Sequence, residues 1–179
     1  MNHIFNSPAK PFYQSAICME LGTIPLPSYT SFVVRLFEEY DKQIEPELIS
    51  QVYDSFSGCT WFIQMMMNEL FAITPKRSTC PISCFDEAWN NIILSQEDSY
   101  RDMLSRLSIK QKMVLQAIAK AGVAPNITSS VFIKKYNLVS ASSVQAALKP
   151  LLKQDIITQD EHGCRVYDFF FAAWLRKEY

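Results

Sequence analysis

With 179 residues, 49% of them apolar and 20% charged, and only four glycines, the chain can build one compact core or two small ones of mainly helical character. No apolar run reaches the roughly 18 residues of a membrane span, and the opening MNHIFNSPAKPFY lacks the basic start and apolar stretch of a secretory signal, so a cytoplasmic protein with no membrane partner is expected. The net charge of −1 conceals a division: residues 105–179 hold eleven Lys and Arg against five acids, +6, and residues 1–104 carry −7. Such asymmetry points to two units with different electrostatic roles. One possibility is an outside partner for the basic unit; the other is intramolecular, with its cations pairing acids such as Glu38, Asp54 or Asp86.

Residues 1–27 contain Pro8, Pro11, Pro25 and Pro27, a density that forbids a long helix. One strand around Ile17–Leu21 fits, with nothing in the segment to pair with it. From Ser28, a candidate cap, Tyr29, Phe32, Val33, Leu36 and Phe37 recur at helical spacing. A second helix fits EPELISQVYDSF, with Pro46 in its first turn and Gly58 as its stop. TWFIQMMMNELFAI reads as a third, central helix with methionines as core filling. ISCFDEAWNNIILSQ reads as a fourth. Residues 28–104 thus make an acidic four-helix bundle.

Residues 105–179 change pattern. SIKQKMVLQAIAKAG is a helix capped by Ser108 and closed by Gly122, TSSVFIKKYN a short second helix, and SASSVQAALKPLLK a third, which Pro150 is expected to shorten or kink. IITQD and CRVYD, reversed at EHG, form a hairpin, and FFFAAWLRK closes the chain. Three helices followed by a two-stranded wing is the winged-helix order. The expected fold class is therefore mainly α: a bundle followed by a winged helix.

Catalytic motifs are sparse. G-x-x-x-x-G-K-[ST] and G-x-G-x-x-G do not occur, and Gly22, Gly58, Gly122 and Gly163 are too scattered for a phosphate cradle. The five cysteines (Cys18, Cys59, Cys80, Cys84, Cys164) are odd in number, and Cys80 and Cys84 are separated by three residues rather than two, so reduced thiols and no metal site are expected. No self-sufficient catalytic site stands out, and the chain reads as no enzyme on its own.

FNSPAKPFYQSAICMELGTIPLPSY, GCTWFIQMMMNELF and the closing VYDFFFAAWLR together resemble the C-terminal half of archaeal-type AAA/STAND P-loop ATPases, relatives of the NB-ARC and NACHT modules. The resemblance covers nearly the whole chain. It implies that residues 1–27 are the last strand and connector of an ATPase core, 28–104 a helical lid and 105–179 the winged helix. It also implies that ATP or ADP with Mg is bound by the parent protein and not by this chain alone. The partner would be the ATPase core domain, with a further protein partner conceivable.

Three motifs carry over. Gly58-Cys59-Thr60 looks like the family's glycine-x-proline, which lies against adenine, with Thr60 replacing proline. Val166-Tyr167-Asp168 looks like the methionine-histidine-aspartate motif, with Tyr167 where the histidine nears the β-phosphate. Pro11-Phe12-Tyr13-Gln14-Ser15 matches the core turn, with Ser15 in place of arginine. The resemblance therefore makes Gly58, Thr60, Tyr167 and Asp168 nucleotide-proximal. On residue chemistry alone, Gly58 equally serves as a helix stop, Thr60 as an N-cap, and Tyr167 and Asp168 as anchors of the wing.

The alternative is a DNA-binding regulator with the bundle as a dimerisation unit. Ser142 and Ser143 suit phosphate, Gln145 suits adenine, and Lys134, Lys135 and Lys149 suit the backbone. Against it, the third helix has no arginine, and Asp160 and Glu161 sit at the wing tip.

Overall fold

A computed structural model describes residues 22–179; the strand expected at Ile17–Leu21 and the Pro11–Ser15 turn lie outside them. Helix α1 (Leu26–Glu39) begins ahead of Ser28, which is not its cap. Pro25 stands at the N-cap position and its carbonyl accepts from Tyr29 N at 3.0 Å, while Pro27 costs the first turn no bonded amide. Tyr29, Val33 and Phe37 face inward; Phe32 and Leu36, expected to share that stripe, are exposed. Burial pushes the Tyr29 phenol up to about 12.

Helix α2 (Pro46–Ser55) carries Pro46 in its first turn, and α3 (Thr60–Ile73) buries Phe62, Ile63, Met66, Met67 and Leu70, so the methionine run does fill the core. Two-residue strands β1 (Gln43–Ile44) and β2 (Thr79–Cys80) pair in parallel and tie the connection between α1 and α2 to the one that follows α3. Burial pushes the β2 thiol of Cys80 up to about 11, so it is a neutral core group. Helix α4 (Cys84–Ser105) runs 22 residues, well beyond the expected end near Gln96. Its last ten residues bury only Tyr100 and Leu104, too few to show a helical stripe in the sequence.

Helix α5 (Ile109–Ala121) opens with a reciprocal capping box between Ser108 and Gln111. Helix α6 (Ser130–Lys135) is capped by Ser129, and α7 (Ala141–Lys153) by Ser140. Contrary to expectation, α7 continues through Pro150 to Lys153. The carbonyl that loses its partner to Pro150 belongs to Ala146, on the exposed face. Strands β3 (Ile157–Asp160) and β4 (Gly163–Val166) form the antiparallel wing, with Ile157 opposite Val166 and Asp160 opposite Gly163. Ala124 bridges to Cys164, adding a third segment to the wing, and α8 (Phe169–Glu178) returns against α5 and α4.

The two units meet through rings rather than charges. Phe56, fully buried after α2, lies 5.4 Å from Trp89 of α4 and 5.4 and 5.3 Å from Phe169 and Phe170 of α8 (centroid distances). Further along, Tyr100 packs on Phe171 at 4.9 Å and Trp174 at 5.7 Å. The expected pairing of the basic unit with Glu38, Asp54 or Asp86 does not form: among the described residues none of these acids has an ion pair. The bridge between α4 and α8 has the opposite polarity, Arg101 of the acidic half meeting Glu178 of the basic half at 3.3 Å. An exposed ion pair contributes about 0–1 kcal/mol, whereas each aromatic pair adds about 0.5–1.5 kcal/mol beyond the area it buries. The aromatic seam decides the docking.

Candidate functional site

Gly58 ends the α2–α3 turn with φ +74, after Ser57 at φ 51. A Cβ here would stand 2.8 Å from Thr23 Cγ2 and 3.0 Å from Tyr53 Oη. Tyr53 Oη in turn donates to the Ile24 carbonyl at 2.7 Å, so the incoming segment Gly22–Pro25 is laid directly over this corner. Thr60 is the first residue of α3 and not its cap; Cys59 holds the cap position in extended conformation and, among the described residues, no side chain accepts from the first amides. The exposed Thr60 and the 67% exposed Trp61 lie beside these uncapped amides.

The wing supplies the other half of the corner. Tyr167 N donates to the Ile156 carbonyl at 3.0 Å, which fixes the chain as it leaves β4. The Tyr167 ring stays 54% exposed and meets Phe62, in the first turn of α3, edge-on at 6.1 Å. Asp168 caps α8, accepting from Phe170 N at 2.8 Å and Phe171 N at 3.0 Å, and Phe169 beside it packs on Phe62 at 5.1 Å. Of the four positions named from sequence, Gly58 and Thr60 flank the start of α3, Tyr167 reaches its first turn through Phe62, and Asp168 is engaged at the start of α8. Trp61 and Tyr53 were not among them: an apolar helix makes Trp61 read as core, and nothing local marks Tyr53 as the clasp on Ile24.

Burial holds the Asp168 carboxyl above its ordinary range, against the lowering effect of the two amides it accepts from. The Tyr100 hydroxyl is raised by its own burial and by the facing Asp168, although it lies outside hydrogen-bond geometry. Because the folded carboxyl is the weaker acid, its favourable contribution is complete below the unfolded value of 3.8 and is lost as pH rises through the raised folded value. Asp168→Asn, which keeps an accepting oxygen, is expected to flatten that decline and match or exceed the parent at pH 7. Asp168→Ala loses the cap and about 1 kcal/mol. Urea midpoints between pH 4 and 7 measure both; a steeper decline in Asp168→Asn would contradict the assignment.

The positions proposed for DNA divide. Ser142, Gln145 and Lys149 are exposed and share one face of α7, and Lys134 and Lys135 are exposed at the end of α6. Ser143 does not join them: its backbone amide is bonded to Ser140 Oγ at 3.2 Å and it lines a narrow slot against Lys110 and Met113 of α5. At the wing tip, the His162 amide and the Arg165 guanidinium hold the Asp160 carboxyl below its ordinary range, so an anion faces any phosphate approaching there.

A family model described as a probable winged helix domain matches residues 98–177, starting inside α4. The C-terminal unit is a winged helix. No curated protein matches the sequence. Among solved structures, a Walker-type ATPase of Pyrococcus abyssi is similar over 96% of this chain, with 16% identity and a TM-score of 0.63. The chain spans 47% of that protein's length. At this identity the likeness is one of fold, and it takes in the bundle as well as the winged helix.

Proposed function

We propose that this chain is the regulatory lid and winged-helix portion of a STAND or archaeal AAA-like P-loop ATPase. In this reading the lid closes over a nucleotide held by a core domain, and the winged helix reports its state through contacts between domains. The observation that carries it is the corner at the start of α3. Gly58 admits the incoming connector, the opening amides of α3 have no side-chain partner among the described residues, Thr60 is exposed beside them, and Tyr167 of the wing meets Phe62 in the same turn. Uncapped helix amides and a threonine hydroxyl fit one side of ATP or ADP; the sequence supplies no Walker cradle for the phosphates and Mg, so these fall to the core. Asp168 acts as a positioning residue, since its carboxylate is engaged in capping α8.

Two measurements test this. The coding DNA preceding Met1 should hold an in-frame Walker A lysine followed by a Walker B acid; a stop codon and promoter there would sink the reading. The purified chain should show no thermal shift with Mg-ATP, since ligand at a hundredfold excess over its Kd would add about 2.7 kcal/mol. A shift of several degrees would place a complete site within these residues.

The exposed face of Ser142, Gln145 and Lys149 supports a second reading, DNA binding by α7. The wing-tip anion opposes it. Fluorescence anisotropy at physiological salt is expected to give weak, sequence-indifferent binding, roughly 10⁻⁴ to 10⁻⁶ M. Nanomolar preference for one duplex, abolished by Gln145→Ala, would reverse the order of the two readings.

A further inference from the structure

Between the bundle and the winged helix lies a cleft of about 440 Å³, walled by the end of α2, the start of α4, the residues after α5, β4 and α8. None of Gly58, Thr60, Tyr167 and Asp168 lines it. Phe85, Trp89 and Phe169 form an aromatic wall, with Phe85 and Trp89 stacked at 5.6 Å and 23°. Both are only partly buried, so ring surface remains available at the cleft. Two arginines, Arg165 and Arg176, complete the lining. Arg165 meets Asp160 at 3.2 Å, and Arg176 donates from Nη1 to the Ala119 carbonyl at 3.2 Å. Each has one partner among the described residues, while a guanidinium offers five N–H donors. The Ser57 residue adds a polar edge from the bundle.

Flat apolar rings beside under-used planar cations select a flat ligand that carries an acid. A carboxylate or phosphate takes the paired N–H donors, and a ring lies against the aromatic wall. The volume lies in the range of small-molecule sites and suits one or two rings. We propose that this cleft binds a small aromatic anion, a one- or two-ring carboxylate or monophosphate, distinct from the nucleotide corner. Because its walls belong to both units, the ligand strengthens their docking and holds the winged helix against the bundle. The inference does not depend on the ATPase reading.

The test uses the whole chain and 8-anilinonaphthalene-1-sulfonate, an aromatic anion whose fluorescence rises on leaving water. One saturable site per chain is expected. Its affinity should fall at least tenfold in Arg165→Gln/Arg176→Gln, and again in Val123→Trp, which fills the cleft from an exposed position. Far-UV circular dichroism checks that both variants fold. On the parent chain, where folding is not at issue, displacement by indole-3-acetate identifies a carboxylate site and displacement by phenyl phosphate a phosphate site. Neutral indole should displace poorly. Unchanged affinity in both folded variants overturns the proposal, as does displacement by indole equal to that by the acids, or by neither acid.

Discussion

Phe56→Ala should lower folding stability by about 3–5 kcal/mol and weaken the bundle and winged helix together. Phe56 is fully buried, and its ring meets Phe62, Trp89, Phe169 and Phe170, which come from three different helices and both units. Truncation removes the transfer energy of the ring and opens a cavity that these neighbours, themselves packed on one another, can close only in part. The effect differs from that of an ordinary core deletion because the lost contacts are those that dock one unit on the other. Urea denaturation followed by circular dichroism and by tryptophan fluorescence should coincide in the parent chain and separate in the variant. The control is Phe32→Ala, on the exposed side of α1 at 46% exposure, expected to change stability by about 0.5 kcal/mol. Equal losses in the two variants would mean that the seam does not carry the docking.

That seam also shows what the sequence withheld. Its rings come from positions as distant as Phe56 and Phe170, and no local pattern announces which aromatic will meet which. Charge, summed over each half, pointed instead to salt bridges with Glu38, Asp54 or Asp86. Long-range charge balance says little about contacts that water already satisfies, whereas buried rings have no comparable alternative. Local signals fared better. Ser108 as the cap of α5, Pro46 in the first turn of α2 and the reversal around Glu161-His162-Gly163 each act within a few residues of backbone, so each was legible; the structure adds Gln111 to the Ser108 cap, makes Ser140 the cap of α7 and gives Gly163 to β4. Ser28 misled because a backbone carbonyl from Pro25 had already begun the helix, a start without a side-chain signature. Strands β1 and β2 are too short to have any period at all. At the candidate site, Gly58, Thr60, Tyr167 and Asp168 were named through family resemblance. Only the fold shows that the turn before α3 and the end of β4 arrive at the same corner, and that Trp61 faces outward there.

Gly163→Ala should be as costly as the loss of Phe56 although it adds only a methyl group. Gly163 begins β4 at φ +131, and a Cβ on it would lie 2.5 Å from the Ala124 carbonyl oxygen and 2.6 Å from Pro125 Cα. These are backbone atoms and cannot rotate away. The approach is fixed by the rung beside it, where Ala124 N donates to Cys164 O at 2.8 Å and Cys164 N to Ala124 O at 3.0 Å. Relief therefore requires breaking both bonds, at about 1 kcal/mol each, in addition to backbone strain of about 1–3 kcal/mol. The expected loss is about 3–5 kcal/mol, a fall of roughly 10 °C in Tm, read by thermal denaturation. Gly122→Ala supplies the contrast. Its φ of +74 with ψ −73 is likewise a conformation that favours glycine, but no described atom lies within 4 Å of the added Cβ, so only backbone strain of about 1–3 kcal/mol applies. If the two variants melt together, the close approach at the wing is not what the glycine serves. If Gly163→Ala alone collapses, the wing is held by contact with the segment after α5. In that case the strand that delivers Tyr167 to the corner takes its position from that contact.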